Sequence, residues 1–383
     1  MNDPDSECPP TTDGEIAVIN LQSARLRSWT RFFQDPLQPG VAEGLIEQEQ
    51  FTAQFAGDLS ALDRVESLTR ELIQVDAGSA RTLLIQAQVA STLHRFSDAR
   101  QYLAQAELGG APSEDVKRLR LSFDQACGVN LGAVLDARRR IAAKSGRLED
   151  LVALGALLAD LREFPEADRV YRRALRSYPD VSPFAVAWVC FQLGVLWGEL
   201  ASEPDLAVAE QWYGKAIACL PGYVKARVHL SEIYSSDGRT GDAEDLLLPA
   251  LASGDPEVPW RLADLLTAQG RHREADVHMN AARSGFEALL ERHVLAFADH
   301  GAEFYAGSGD DAARALELAC INVSNRPTLG AFEQAYEIAI AAGETGAAAE
   351  IATTCTNRWG HTPAFRLSAF AQHCLNDREG VAA

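Results

Sequence analysis

A chain that repeats one pattern at a near-constant interval is bound to fold as a stack of like units, and this sequence does so for most of its length. Small or short side chains recur as Val65, Ala99, Ala133, Ala167, Ala209, Ala243, Ala275, Ala315 and Ala349, at intervals of 34, 34, 34, 42, 34, 32, 40 and 34 residues. Seven residues after each of these stands a second series: Leu72, Ala106, Arg140, Ala174, Ala216, Ala250, Ala282, Asn322 and Thr356. Eight linked intervals with matching flanks exclude coincidence in an alanine-rich chain. Turn signals fall between paired helical stretches, at His94-Arg95-Phe96, Gly128, Glu163-Phe164-Pro165, Asp237-Gly238, Gly270 and Gly307-Ser308-Gly309.

The stretch Leu151 to Pro179 shows one unit clearly. Leu151, Leu154, Gly155 and Leu158 share one helix, Ala167, Tyr171 and Ala174 a second, and Pro179 follows. Gly155 and Ala167 stand where two helices of a hairpin cross, and small residues let the backbones approach there. Leu151, Leu154, Leu158 and Tyr171 fill the space between neighbouring helices. Pro179 stops the second helix, since it offers no backbone donor and clashes with the preceding turn. Other units repeat the arrangement: Gln192, Leu193, Gly194 and Trp197 precede Ala209, Tyr213, Ala216 and Pro221, with an insertion around Ala201 to Asp205. Leu230 and Tyr234 precede Ala243, and Leu262, Ala263 and Leu266 precede Ala275.

On these residues the chain resembles the tetratricopeptide-repeat (TPR) family over residues 41–362. The stretch Ala298 to Pro327 is similar to the closing repeats of bacterial-type multi-repeat members. The resemblance implies an all-α fold, an α-solenoid of about nine TPR-like helix hairpins wound into a right-handed superhelix. Arg140, Asn322 and Thr356 depart from the family pattern, which puts a small residue there. The terminal repeats are degenerate, as capping repeats are. Residues 1–40 read as a mobile start followed by an N-terminal helix; Ile16, Ile19, Leu26, Trp29 and Phe33 form its apolar face, laid over the first repeat. Residues 363–383 read as a C-terminal cap helix and tail, with Phe365, Leu367, Phe370 and Leu375 inward. The first dozen and last eight residues are expected to be mobile.

Charge narrows the partners. A formal net charge of −19 and a sequence pI near 4.9 oppose binding to nucleic acid or to an anionic membrane surface. The same charge favours a basic partner, and equally serves solubility. No stretch approaches 18 consecutive apolar residues, so no transmembrane helix is expected. Met1 to Gly14 is acidic and lacks the basic region and apolar run of a signal peptide. The seven cysteines (Cys8, Cys127, Cys190, Cys219, Cys320, Cys355 and Cys374) are odd in number, with no CxxC pair. They read as small buried hydrophobes in a reducing, cytoplasmic setting, with an exported mature form left open.

The family resemblance implies a ligand surface on the first helix of each hairpin. On the repeat ending at Pro221 this gives Trp188, Phe191 and Val195; on the next, Lys225, Val228 and Glu232; on the one after, Trp260 and Asp264. Together they describe an apolar, aromatic floor with acidic residues to one side, suited to a basic and partly apolar peptide or protein segment. Trp188 and Phe191 are equally placed to pack against a neighbouring repeat, and both readings stand at this point.

Chemistry is sparse. P-loop, GxGxxG, GxSxG and HExxH motifs are missing from the sequence. Four of eight histidines (His272, His278, His293 and His300) cluster with Asp276 and Glu303 at helical spacings, geometry sufficient for a metal site. Such residues are more often surface side chains or satisfied donors. The expectation is therefore a non-catalytic interaction scaffold without catalytic residue, metal or cofactor. An accessory protein with a metal site or enzymatic activity in the His272–Glu303 region is the alternative.

Overall fold

The computed structural model describes residues 8–368 and residue 371. Cys374, the cap residues Phe370 and Leu375, and most of the two tails lie outside the described residues. Among the described residues there is no strand. The helices are α1 (Gly14–Gln34), α2 (Val41–Ala56), α3 (Ala61–Val75), α4 (Ala80–Thr92), α5 (Phe96–Leu108), α6 (Ser113–Ala126), α7 (Leu131–Ser145), α8 (Leu148–Asp160), α9 (Phe164–Arg176), α10 (Pro183–Val195), α11 (Leu206–Cys219), α12 (Val224–Ser236), α13 (Thr240–Leu247), α14 (Glu257–Ala268), α15 (His272–Ala306), α16 (Ala312–Asn325), α17 (Leu329–Ala341), α18 (Thr345–Trp359) and α19 (Pro363–Arg366). Helix α15 is broken at His293, whose φ of −138° and ψ of 47° are not helical. Counting its two halves separately, the helices from α2 to α18 fall into nine consecutive pairs in chain order, as the sequence period requires.

Local chemistry explains the starts. Side chains of Asp13, Ser79, Asp311, Thr328 and Thr362 each accept the amide N–H three residues on, which satisfies an orphan donor at a helix N-terminus. The interval of 42 residues between Ala167 and Ala209 is absorbed where α10 runs into a π-turn, Leu196–Leu200. There the Asp205 amide closes back onto the Trp197 carbonyl at 2.8 Å.

Contacts divide the chain into two compact units, each drawn from three stretches. The first comprises the chain up to Phe123, Tyr178–Phe191 and Glu210–Ala288. Its centre is not confined to neighbours in the repeat order. Phe55 of α2 packs its ring 4.9 Å from Tyr223 and 5.2 Å from Phe184. At the start of α1, a Cβ on Gly14 would run into the Cys219 carbonyl oxygen, so only glycine permits that approach. A simple solenoid keeps each repeat on its immediate neighbours; here the first hairpin also closes on α12.

Helix α1 is fixed through a buried acid. Glu49 is fully buried. It accepts hydrogen bonds from Trp29 Nε1 at 2.6 Å, Arg64 Nε at 2.8 Å and Arg25 Nη1 at 3.3 Å. Phe32 is buried beside them. The expected inward face is thus only partly correct. Trp29 faces the body, but Ile16, Ile19, Leu26 and Phe33 are 57%, 59%, 64% and 67% exposed. Polar anchoring through Glu49, which hydrophobic periodicity does not register, sets the helix's rotation.

The second unit comprises Asp124–Ser177, Gln192–Ala209 and the chain from Leu289 onward. Here the sequence pattern is met in contact: a Cβ on Gly155 would fall 2.6 Å from the Tyr171 ring, and Ala167 and Ala174 are fully buried. Gly155→Ala is expected to cost about 1–3 kcal/mol by overpacking, despite the gain in helix propensity. Urea unfolding checks it, and an unchanged or raised midpoint would contradict the tight crossing. Distant segments also meet: Arg162 Nη2 donates to both Glu333 carboxylate oxygens at 2.6 and 2.5 Å. Trp359 Nε1 donates to the Pro327 carbonyl at 3.1 Å.

Two family departures have a local cause. In α7 the buried residues are Val134, Ala137, Arg138 and Ala142 while Ala133 and Arg140 are exposed; in α18 Ala348 and Cys355 are buried while Ala349 is exposed. Both helices are turned by one residue from the sequence register, so Arg140 and Thr356 do not occupy the packing position. Asn322 does occupy it and is 4% exposed.

Two further expectations need correction. One helical window, Pro183–Leu200, has a mean hydropathy of 1.4 over 18 residues and is long and apolar enough to cross a membrane; 56% of it is buried inside the fold. Gln192, Gly194, Gly198 and Glu199 hid it from a search for an unbroken apolar run. The cysteines are not uniformly core: Cys127, Cys190 and Cys355 are buried, Cys8 and Cys219 half-buried, and Cys320 exposed. Cys8 and Cys190 place their Sγ atoms 3.6 Å apart. That hydrogen bond, with burial, raises the Cys190 thiol well above its ordinary range.

Candidate functional site

The eight residues expected to line a ligand surface separate by burial. Phe191, Val228 and Trp260 are 8%, 1% and 2% exposed. The Phe191 ring lies 5.2 Å from Tyr223, 5.6 Å from Tyr213 and 5.2 Å from His229. Trp260 carries the Arg261 guanidinium 3.6 Å above its ring and Phe286 at 5.9 Å. Groups enclosed this far have no surface left to offer, and they serve the core of the first unit. Phe191 is enclosed through Tyr223, on which Phe55 of the first hairpin packs, whereas Val228 lies among Val224, Ala243, Leu247, Val258 and Leu262 of the adjoining helices.

Trp188, Val195, Lys225, Glu232 and Asp264 are half-buried. Val195 lies in the second unit and the other four in the first. Glu232 is already engaged, with Arg261 Nε at 2.6 Å and His229 Nδ1 at 3.8 Å. A basic partner would have to compete with that pair.

The histidines do not assemble. His272 is exposed, His278 and His300 are half-buried, and His293 is buried at the break in α15. Among the described residues no group of three His, Cys, Asp or Glu side chains is placed to hold a metal ion.

A recess that sequence reasoning missed lies in the first unit, between α1, α2 and the segment entering α10. Its volume is about 550 Å³, and Ile16, Leu21, Phe51, Val181, Pro183 and Phe184 give it apolar walls. The Phe51 and Phe184 rings, 5.5 Å apart, form part of its lining. Glu47 and Asp180, both exposed, stand among its lining residues. The Thr12 amide donates to the Val181 carbonyl at 2.9 Å, pinning the N-terminal segment along one side. The spacing of Phe51 and Phe55 marks a helix face. Only tertiary contact brings Phe184 to it, so no local motif announces the recess.

Crossing at Gly155 and Tyr171, small residues at the repeat positions and nine consecutive helix pairs define the architecture. The fold is an all-α helical repeat of tetratricopeptide type. No family model matches the sequence, and no curated protein is similar to it at a significant level. Solved structures of low similarity include the Cut9–Hcn1 hetero-tetramer of the APC/C, at 13% identity and a TM-score of 0.41, covering 94% of this chain and 73% of that one. Yeast Tom70 matches at 12% identity and a TM-score of 0.34, over 94% of this chain and 96% of that one. The C-terminal part of a TPR repeat-containing protein from Cytophaga hutchinsonii matches at 13% identity and a TM-score of 0.32, over 76% and 97%. Likenesses at these scores add no residue to the site.

Proposed function

We propose that the chain is a non-catalytic binding scaffold that holds a segment of another protein, or a peptide, in the apolar recess between α1, α2 and Phe184. The observation carrying this reading is the recess itself: an apolar, partly aromatic cleft on rigid helices, the usual seat of an anchoring side chain. Glu47 and Asp180 beside it, within a chain of net charge −19, favour a ligand that joins an apolar anchor to Lys or Arg. Trp188, Lys225 and Asp264 remain candidates for further contacts in the same unit. A reducing, cytoplasmic setting goes with this reading, in which the six described cysteines stay as thiols.

The test is peptide selection on the full chain from a random displayed library, followed by titration of the enriched peptides. Enriched sequences are expected to carry an aromatic or aliphatic anchor beside basic residues. Glu47→Arg, at an exposed position, is expected to weaken them about 3–10-fold at low salt without shifting the unfolding temperature. Selection of acidic peptides, or affinities indifferent to this reversal, would sink the charge argument.

A further inference from the structure

Helix α1 carries a second apolar surface, which among its seam residues shares only Ile16 with the recess. Ile16, Ile19, Ser23, Leu26, Thr30 and Phe33 follow one another at alternating spacings of three and four residues. That is the a/d seam of a coiled coil, with Ile16, Ser23 and Thr30 at a and Ile19, Leu26 and Phe33 at d. In a folded chain such a seam normally meets a partner helix. Here the four large members are 57–67% exposed, and Thr30 is exposed with them. The opposite side of α1 is held down by Phe32 and the Glu49 network, so this side faces outward by construction.

The order of side chains indicates the occupant. Turn the seam about a two-fold axis passing between residues 24 and 25, so that a second α1 runs antiparallel. Every layer then pairs an a residue with a d residue: Ile16 with Phe33, Ile19 with Thr30, and Ser23 with Leu26 of the second copy. The two central kinds of layer each set a large side chain against a small one. The outer layers close with the largest pair. The a-to-d pairing belongs to any antiparallel seam; the matching of large with small side chains in the inner layers is the self-complementarity that a two-fold contact requires.

The flanks agree. In the antiparallel arrangement Asn20 lies across from Arg27 of the second copy, and Gln22 across from Trp29, so no like charges oppose. Of the cations on the helix, Arg25 turns inward to Glu49, while Arg27 and Arg31 are exposed, and neither faces its own counterpart in the antiparallel arrangement.

We infer that α1 is the self-association surface of this chain, pairing antiparallel with α1 of a second copy. Residues 16–33 span about 27 Å of helix. Six seam positions from each copy bury on the order of 1,000 Å² in total, the lower bound for a specific interface. The dimer is therefore weak and concentration-dependent, with Kd in the range of about 1–100 µM.

Sedimentation velocity on the full chain, from about 1 to 300 µM, reads this directly. The expected result is a reversible monomer–dimer equilibrium for the wild type, and a monomer throughout for Leu26→Glu with unchanged helical circular dichroism. Leu26 is exposed, so the change does not strike the core. Asn20→Glu decides the orientation: antiparallel pairing sets the introduced carboxylate against Arg27 twice and tightens the dimer about 3–10-fold, whereas parallel pairing sets it against Glu15 and weakens it. A wild type monomeric at every concentration, a dimer that survives Leu26→Glu, or a dimer weakened by Asn20→Glu would each overturn the inference.

Discussion

Glu49→Ala is expected to lower stability by about 3 kcal/mol and to release α1 from the body of the first unit. The carboxylate is fully buried and takes donors from Trp29, Arg25 and Arg64. Removing it takes the acceptor from the Trp29 indole and one of two carboxylates from Arg25 and Arg64, which keep Asp58 at 3.7 and 2.8 Å; breaking a buried pair on one side costs about 3–5 kcal/mol. The lower end applies because Arg25 and Arg64 remain 18% and 30% exposed, so water recovers part of the loss. Thermal unfolding gives the magnitude, and hydrogen exchange gives the place: amides of α1 should lose protection before those of α4 and α5. Unchanged protection of α1 would show that apolar contacts through Phe32 hold it without the acid.

Tyr223→Ala should be more damaging, at about 3–5 kcal/mol. Its ring touches Phe55 and Phe191 and is 1% exposed. Its hydroxyl bonds the Gln54 side chain, and burial lifts its titration far above the ordinary tyrosine range. Tyr223→Phe separates the two contributions, since losing the hydroxyl alone costs about 1 kcal/mol. Because Tyr223 joins α2 to α12, the alanine variant should expose amides of both helices together in hydrogen exchange. If only α12 loosened, the first hairpin would be held by other contacts, and the filling of the expected groove would need another cause.

The repeat was readable in the sequence because it rests on local rules: small residues where helices cross, apolar residues at helical spacing, glycine and proline at turns. Gly155 against Tyr171 shows those rules in contact. The one-residue turns of α7 and α18 were not readable, since Ala133 and Ala349 satisfy the pattern as well as Val134 and Ala348 do. Nor was the rotation of α1, which depends on a buried carboxylate outside the hydrophobic period. The site was legible least. A surface taken repeat by repeat assumes contacts between neighbours alone, and Phe55 meeting Tyr223 breaks that assumption. It encloses Phe191 and creates a recess from Phe51, Phe184 and α1, residues far apart in the chain.

The scaffold reading stands or falls on that recess, and Ser182→Trp tests it directly. Ser182 lines the recess, half-buried, and an indole there fills the space without removing a core side chain. Isothermal titration of a selected basic–apolar peptide into wild type and Ser182→Trp is the deciding measurement. A loss of affinity of about tenfold or more in the variant, at unchanged unfolding temperature, is the predicted result; equal affinity for both proteins would place the ligand elsewhere and contradict the account.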